Sequence, residues 1–452
     1  MTDSPPALER RTHFAAAIPQ PRSPDVNRLG LDDRAAHDWY RFVLSYPPHL
    51  VRDYLTRFDA SPEKCVLDPF CGTGTTVVEC KKLGIPSVGV EAHPMAHFAS
   101  ATKVDWNVDP VELEESSRRV AAAALAELEA NGIIDDPAPT LLAETPGPQK
   151  LRALSPELQK LLLTNSISPL PLHKSLVLRD AICSRGSERC RAHQLLALAK
   201  ALVTGVGNLE FGPEVGVGPA KPDVPVISKW LRLTQKMAND LRALQLRSAV
   251  RATVHHADSR DMTRLIAPES TDIVITSPPY PNEKDYTRTT RLETVLLGFI
   301  TSKKQLQALK RTMIRSNTRG VYQGDSDHEL VANHSEIQRI ADAIEARRIA
   351  LGKTSGFERL YAKVTKLYFG GMARHLASLR QVLRPNARLA YVVGDQASYL
   401  RIMIRTGQLL ASIAQSLGYE VLGIDLFRTR LATATREQLR EEVVVLRWPG
   451  RK

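Results

Sequence analysis

Cys65-Val66-Leu67-Asp68-Pro69-Phe70 runs directly into Cys71-Gly72-Thr73-Gly74-Thr75-Thr76, and Val77 to Leu83 then carries a helical pattern. A short apolar run, a Gly-rich turn and a helix in that order form a βα unit, which commits the chain to an α/β architecture. Glycines at 72 and 74 let the backbone approach a ligand and turn N–H groups toward it at a helix N-terminus, an arrangement that favours carboxylate or phosphate. The spacing departs from G-x-G-x-x-G and no Lys follows the last Gly, which argues against a P-loop. About 17 residues beyond Gly74, Val88-Gly89-Val90-Glu91 reads as the next strand, ending in an acid placed for the two hydroxyls of a ribose. A Gly-rich turn followed by such an acid describes a nucleoside-cofactor site.

A second constraint lies about 200 residues downstream. Asp272-Ile273-Val274-Ile275 has the continuous apolar character of a buried parallel strand, and Thr276-Ser277-Pro278-Pro279-Tyr280 stands at its carboxyl end. Proline lacks an N–H and holds φ near −65°, so the Ser277 and Pro278 carbonyls are left for a substrate amine, with Tyr280 offering a stacking face beside them. The plainer reading of these residues alone is a Pro-rich turn without chemistry. Ligands of open α/β sheets bind at the carboxyl ends of strands, so both loops can face one crevice.

Asp68-Pro69-Phe70-Cys71-Gly72-Thr73-Gly74-Thr75-Thr76 together with Ser277-Pro278-Pro279-Tyr280 resembles the S-adenosylmethionine-dependent amino-methyltransferases of DNA, which methylate cytosine N4 or adenine N6. The resemblance implies a Rossmann-like α/β fold, a mostly parallel seven-stranded sheet with a helical insertion domain, and S-adenosyl-L-methionine as cofactor. It implies catalytic roles for Ser277, Pro278, Pro279 and Tyr280. It also implies cofactor contacts from Phe70, Gly72, Gly74 and Thr75 and from Glu91 to the ribose. Asp68 is expected to orient the loop or to meet the methionine amino group. Tyr46-Pro47-Pro48-His49-Leu50-Val51 resembles the segment set against the methionine end, and His255-His256-Ala257-Asp258-Ser259-Arg260 the stretch whose acid, Asp258, contacts adenine. Ser in the first position of the catalytic loop is more typical of the N4-cytosine enzymes. An N6-adenine enzyme and an RNA amino-methyltransferase are the alternatives.

Composition agrees. The 452 residues carry 61 Lys and Arg against 49 Asp and Glu, a net +12 that suits a polyanionic partner; double-stranded DNA is expected. No apolar run approaches the roughly 18 residues of a membrane span and no signal sequence opens the chain, so a cytoplasmic location without membrane association is expected. The cysteines at 65, 71, 80, 183 and 190 form no C-x-x-C pair, and no metal site is expected. Cys71 is expected to pack beneath the cofactor loop. Cytosine C5 chemistry is disfavoured, because it needs a cysteine nucleophile, commonly after proline, and the chain has no Pro-Cys dipeptide.

The order along the chain is a basic arm (1–30), a first catalytic part with the cofactor loop (31–110), an insertion expected to read the DNA target (111–249), and a second catalytic part with the catalytic loop (250–284). A basic helical insertion (285–357) and a third catalytic part (358–452) follow. Within 205–226 the Gly, Pro and Val content reads as a long loop, and the last two strands, near 419–427 and 442–447, read as an antiparallel edge pair. In the basic insertion, Arg288, Arg291, Lys310, Arg311 and Arg315 are candidate phosphate contacts, although such charge is more often a solvated helix face. A restriction endonuclease in the same system is compatible with this reading and is not required by it.

Overall fold

The computed structural model describes residues 29–41, 45–136, 150–212, 214–431 and 438–451. Apart from Leu29 and Gly30, the N-terminal arm lies outside them. Seven strands form the main sheet: β1 (Val66–Asp68), β2 (Ser87–Glu91), β5 (Ala252–His256), β6 (Thr271–Thr276), β7 (Leu383–Gly394), β8 (Glu420–Leu431) and β9 (Gln438–Trp448). A separate hairpin, β3 (Leu209–Phe211) with β4 (Val215–Val217), breaks the segment expected to be loop throughout.

The sheet runs β5-β2-β1-β6-β7-β9-β8. From β5 to β7 all pairs are parallel, whereas β9 lies antiparallel to β7 and to β8. This is a mostly parallel, Rossmann-like sheet. The two last strands do pair antiparallel, but only β8 is an edge; β9 is inserted between β8 and β7. Strand order reverses between β1 and β6, the adjacent pair whose carboxyl ends carry the two motif loops, and that reversal is where open α/β sheets bind their ligands.

Side chains alternate across the sheet with the period of two that a strand imposes. Leu67, Val274, Leu389, Tyr391 and Val393 face one way, onto the helices Ser335–Ala350, Tyr361–Leu379 and Thr406–Ser416. Val66, Ile273, Ile275, Ala390 and Val392 face the other way, onto the helix Pro48–Arg57. Both faces are covered, as a parallel sheet requires.

Residues 111–249 are mainly helical, with helices at Pro110–Ala130, Pro169–Arg185, Arg191–Ala201 and Ile227–Leu244. Their buried residues, among them Leu113, Leu178, Leu198 and Trp230, belong to one apolar cluster with Val77, Val78, Met95 and Ala99 from the helices that follow β1 and β2. The described part of the insertion is thus packed onto the catalytic core. Among the described residues, no helix is long and apolar enough to cross a membrane.

Candidate active site

Asp68 ends β1 and Thr276 ends β6. Thr276 Oγ1 donates to Asp68 Oδ1 at 2.6 Å across 208 residues of sequence. The same oxygen accepts the Phe70 N–H at 3.2 Å, and Oδ2 accepts the Tyr46 hydroxyl at 3.0 Å. Thr76, in the first turn of the helix after the cofactor loop, donates to the Ile275 carbonyl at 3.1 Å and also bonds Tyr46. These contacts close a network joining the cofactor loop, the Tyr46 segment and the strand that delivers the catalytic loop. Asp68 is fully buried, and burial pushes its carboxyl up to about 6. With its oxygens held by three donors, Asp68 orients the loop.

The Gly-rich turn is shaped from beneath. Gly72 has φ +52° and donates its N–H to Glu91 Oε2 at 2.7 Å. Gly74 has φ +87°, and a Cβ there would stand 3.0 Å from Ser100 Cβ and 3.2 Å from its Cα. Gly74 therefore serves close packing against the helix Pro94–Val104, and the ligand side of the turn belongs to Gly72 and Thr75. Cys71 packs under the loop, its sulfur occupying the room left by Gly89, where a Cβ would lie 2.6 Å away. Burial pushes its thiol well up, which makes it a poor nucleophile. Lys103, also buried, donates to the Thr73 carbonyl at 2.6 Å and the Tyr40 carbonyl at 3.2 Å, and burial lowers its ammonium to about 7.

Above the turn opens a cavity of about 600 Å³. Tyr46, Phe70, Gly72, Thr75 and Glu91 line it from the β1–β2 side, and Ser277, Pro278, Pro279 and Tyr280 from the β6 side. Glu91 accepts the His93 N–H at 2.7 Å with one oxygen and the Gly72 N–H at 2.7 Å with the other. Burial raises its carboxyl to about 7. Each oxygen retains a lone pair, so a half-buried acceptor pair faces the cavity where a vicinal diol can satisfy it. The volume is that of an ordinary small-molecule site, and this end of the cavity fits a nucleoside cofactor.

On the opposite wall Ser277 Oγ donates to the Val392 carbonyl at 3.1 Å. That bond uses the hydroxyl proton and leaves the oxygen's lone pairs as acceptors. The Tyr280 ring lies against Gly394, where a Cβ would come within 3.0 Å of Cε2. Phe70 meets the His375 ring edge-on at 4.7 Å, and His375 is fixed in turn by the Ser259 carbonyl and the Tyr391 hydroxyl.

Several expected residues lie elsewhere. Asp258 does not line the cavity: Arg260 grips both of its oxygens, at 2.7 to 3.1 Å, and also reaches Asp327. Its neighbour Ser259 lines the wall instead. Of the five basic candidates only Arg311 is exposed. Arg315 is buried in an ion pair with Asp325 and bonds the Lys310 carbonyl, Lys310 pairs with Asp285 at 2.7 Å, and Arg291 bonds the Thr287 and Leu161 carbonyls. Arg288 is half-buried. For Arg291 and Arg315 the physical cause is the irregular backbone of this region, whose carbonyls need donors that a regular helix would supply itself, whereas Lys310 is drawn to the buried Asp285 carboxylate. Arg291, Lys310 and Arg315 are held as internal donors, which corrects their expected place at a phosphate backbone.

Sequence reasoning missed His93, Asn282, Tyr286 and Gln396, which also line the cavity. His93 is buried and held near 3 by that burial, with Nδ1 accepting from the Met95 N–H and Nε2 bonded to Thr290. Asn282, two residues beyond Tyr280, approaches Gln396 at 3.5 Å. The proximity of Asn282 to the catalytic loop was a usable signal, whereas Gln396 carried none.

Strand order, the two loops at its reversal and the acid facing the cavity define a Rossmann-like methyltransferase. Residues 32–101 match the family described as DNA methylase. The chain is similar to the Type II methyltransferase M.BsoBI of Geobacillus stearothermophilus, 23% identical over 92% of this chain and 84% of that protein. It is also similar to the Type II methyltransferase M.AvaI of Nostoc sp., 23% identical over 91% and 86%. A structural alignment with TrmN from Thermus thermophilus covers 89% of this chain and 48% of that one at 12% identity, with a TM-score of 0.28, too low to bear on the fold. These likenesses support a DNA amino-methyltransferase, a class whose methyl donor is S-adenosylmethionine.

Proposed function

We propose that the protein methylates the exocyclic N4 of cytosine at a specific site in double-stranded DNA, with the target base flipped into the cavity. The observation that carries this reading is Ser277, whose hydroxyl proton is committed to Val392 while its lone pairs remain available beside the Pro278 carbonyl. An amine in a duplex is engaged in pairing, and extruding the base costs a few kcal/mol. Tyr280 then stacks on the flipped ring, and Ser277 Oγ and the Pro278 carbonyl accept the two amine protons. Those bonds turn the nitrogen lone pair out of conjugation with the ring. S-adenosylmethionine supplies an electrophilic methyl on a sulfonium whose charge is lost on transfer. The nitrogen becomes cationic and acidic as the N–C bond forms, and it sheds a proton toward Ser277 and solvent. Positioning can therefore supply most of the acceleration, and no strong base is needed beforehand.

The Tyr46, Phe70, Gly72, Thr75 and Glu91 wall takes the cofactor in this reading. Residues 111–249, helped by 285–357, read the target sequence, with Arg311 among the phosphate contacts. The Type II names of the relatives support a modification role beside a restriction endonuclease, and a DNA substrate puts the protein in the cytoplasm with the nucleoid. The test is methyl transfer from labelled cofactor to duplex DNA and to RNA, with nucleoside analysis of the product. N4-methylcytosine in duplex DNA is expected. N6-methyladenine would overturn the base assignment, and label confined to RNA would overturn the substrate.

A further inference from the structure

Beside the segment that follows the catalytic loop stands an exposed aromatic ring that the chemistry above does not use. Phe357, beyond the helix Ser335–Ala350, is 53% exposed, and the Arg319 guanidinium lies 5.6 Å from its ring centre. The pair is tied to the residues just past the catalytic loop through the neighbours of Arg319. Thr318, next to Arg319, bonds Glu283 through its N–H at 3.3 Å and its hydroxyl at 2.8 Å, and Asn317 donates to the Lys284 carbonyl at 3.1 Å. Glu283 and Lys284 both line the cavity, three and four residues past Tyr280. The base of the mount is rigid: Tyr361 stacks on the buried Tyr399 at 4.9 Å, and Tyr399 donates to the Ser316 carbonyl at 2.9 Å. Arg311, Arg319 and Arg359 are exposed in the two segments that form this rim.

We propose that Phe357, backed by Arg319, enters the duplex beside the target base and stacks in the gap that flipping leaves. An exposed aromatic face suits any base, because every base presents a π surface, and apolar side chains wedged between base steps are a general means of unstacking DNA. A guanidinium over the same ring can pair with the adjacent phosphate, so the rim matches the charge of a nucleic acid as well as its apolar stack. Duplex DNA at the target step is thus the occupant of this rim. The inference rests on the reading that the cavity receives a flipped base.

The test compares a fully paired target with one whose partner base is mismatched, since a mispaired base is cheaper to extrude. Phe357→Ala should lower kcat/KM on the paired duplex by about ten- to a hundredfold and leave the mismatched duplex within about twofold of the parent. Phe357→Trp should retain most activity on both. Cofactor affinity measured without DNA should be unchanged, which certifies the fold. Equal losses on the two duplexes, or no loss on either, would overturn the wedge while leaving the methyltransferase reading intact. A parent protein that methylates neither duplex would overturn that reading instead, and the wedge with it.

Discussion

The two walls of the cavity are built differently. On the cofactor side nearly every polar group is already engaged: Asp68 holds Thr276, Phe70 and Tyr46, Glu91 holds Gly72 and His93, and Lys103 holds Thr73 and Tyr40. On the base side Ser277 makes one bond through its proton, and the prolines that follow have no N–H to donate. In the proposed function the first wall is pre-organised for a cofactor that binds in one pose. On the same reading the second keeps its acceptors for an amine that arrives with each substrate. Affinity for the cofactor and turnover of the base should therefore be separable by mutation, except where the two walls are joined.

They are joined at Asp68, so Asp68→Ala should have the largest effect. It strands the buried Thr276 hydroxyl, at about 1 to 3 kcal/mol for an orphaned group, and removes one of the two partners of the Tyr46 hydroxyl. Urea denaturation should show about 3 kcal/mol of lost stability, and cofactor binding and turnover should fall together. A variant that loses only one of the two would show that the walls are not coupled through this carboxylate.

Ser277→Ala and Glu91→Gln should then separate the walls. The first removes one acceptor for the amine and should lower kcat by about a hundredfold with cofactor affinity kept. The second keeps the shape of the acid but weakens it as an acceptor for a diol, raising the cofactor Kd by about tenfold. The acid also sets a pH dependence. In the free protein the Glu91 carboxyl sits near 7, raised by burial, so below that pH it is mostly neutral. A diol donating two hydrogen bonds prefers the carboxylate, and binding then expels the proton. Cofactor affinity should rise with pH up to about 7 and level off above it, and Glu91→Gln should flatten the curve; equilibrium binding titrations from pH 5.5 to 8.5 check this.

What the sequence made legible follows the same division. Strand β1, the Gly-rich turn and the strand ending in Glu91 are contiguous, local patterns, and they stand in the fold where the pattern implied. Ser277 to Tyr280 was equally legible because proline constrains its own backbone. The partners of Arg291, Lys310 and Arg315 were not, since a run of cations says nothing about which carbonyls lack donors or which carboxylate the fold brings near. Asp258 was misread for a related reason: Arg260 is visible two positions on, but only the fold brings Asp327 up to hold that guanidinium in place. The position of β9 between β7 and β8 depends on which edge a late hairpin enters, and strand patterns do not encode it.

The smallest effect is expected at Gly394, a residue with no side chain. Its hydrogen faces the Tyr280 ring, and a Cβ would come within 3.0 Å of Cε2 and 3.4 Å of Glu441 Cγ. Contacts that close require the ring to shift by a few tenths of an ångström, because β7 is held against β9 at Gly394 and against β6 up to Tyr391. Gly394→Ala should therefore tilt the stacking face without disturbing the cofactor wall. The expected result is a few-fold loss in kcat/KM for DNA with an unchanged cofactor Kd, smaller than that of Ser277→Ala because the amine acceptors stay in place. A change in cofactor affinity of the same size would mean that Tyr280 also braces the cofactor side, and that the two walls are less independent than their hydrogen bonds imply.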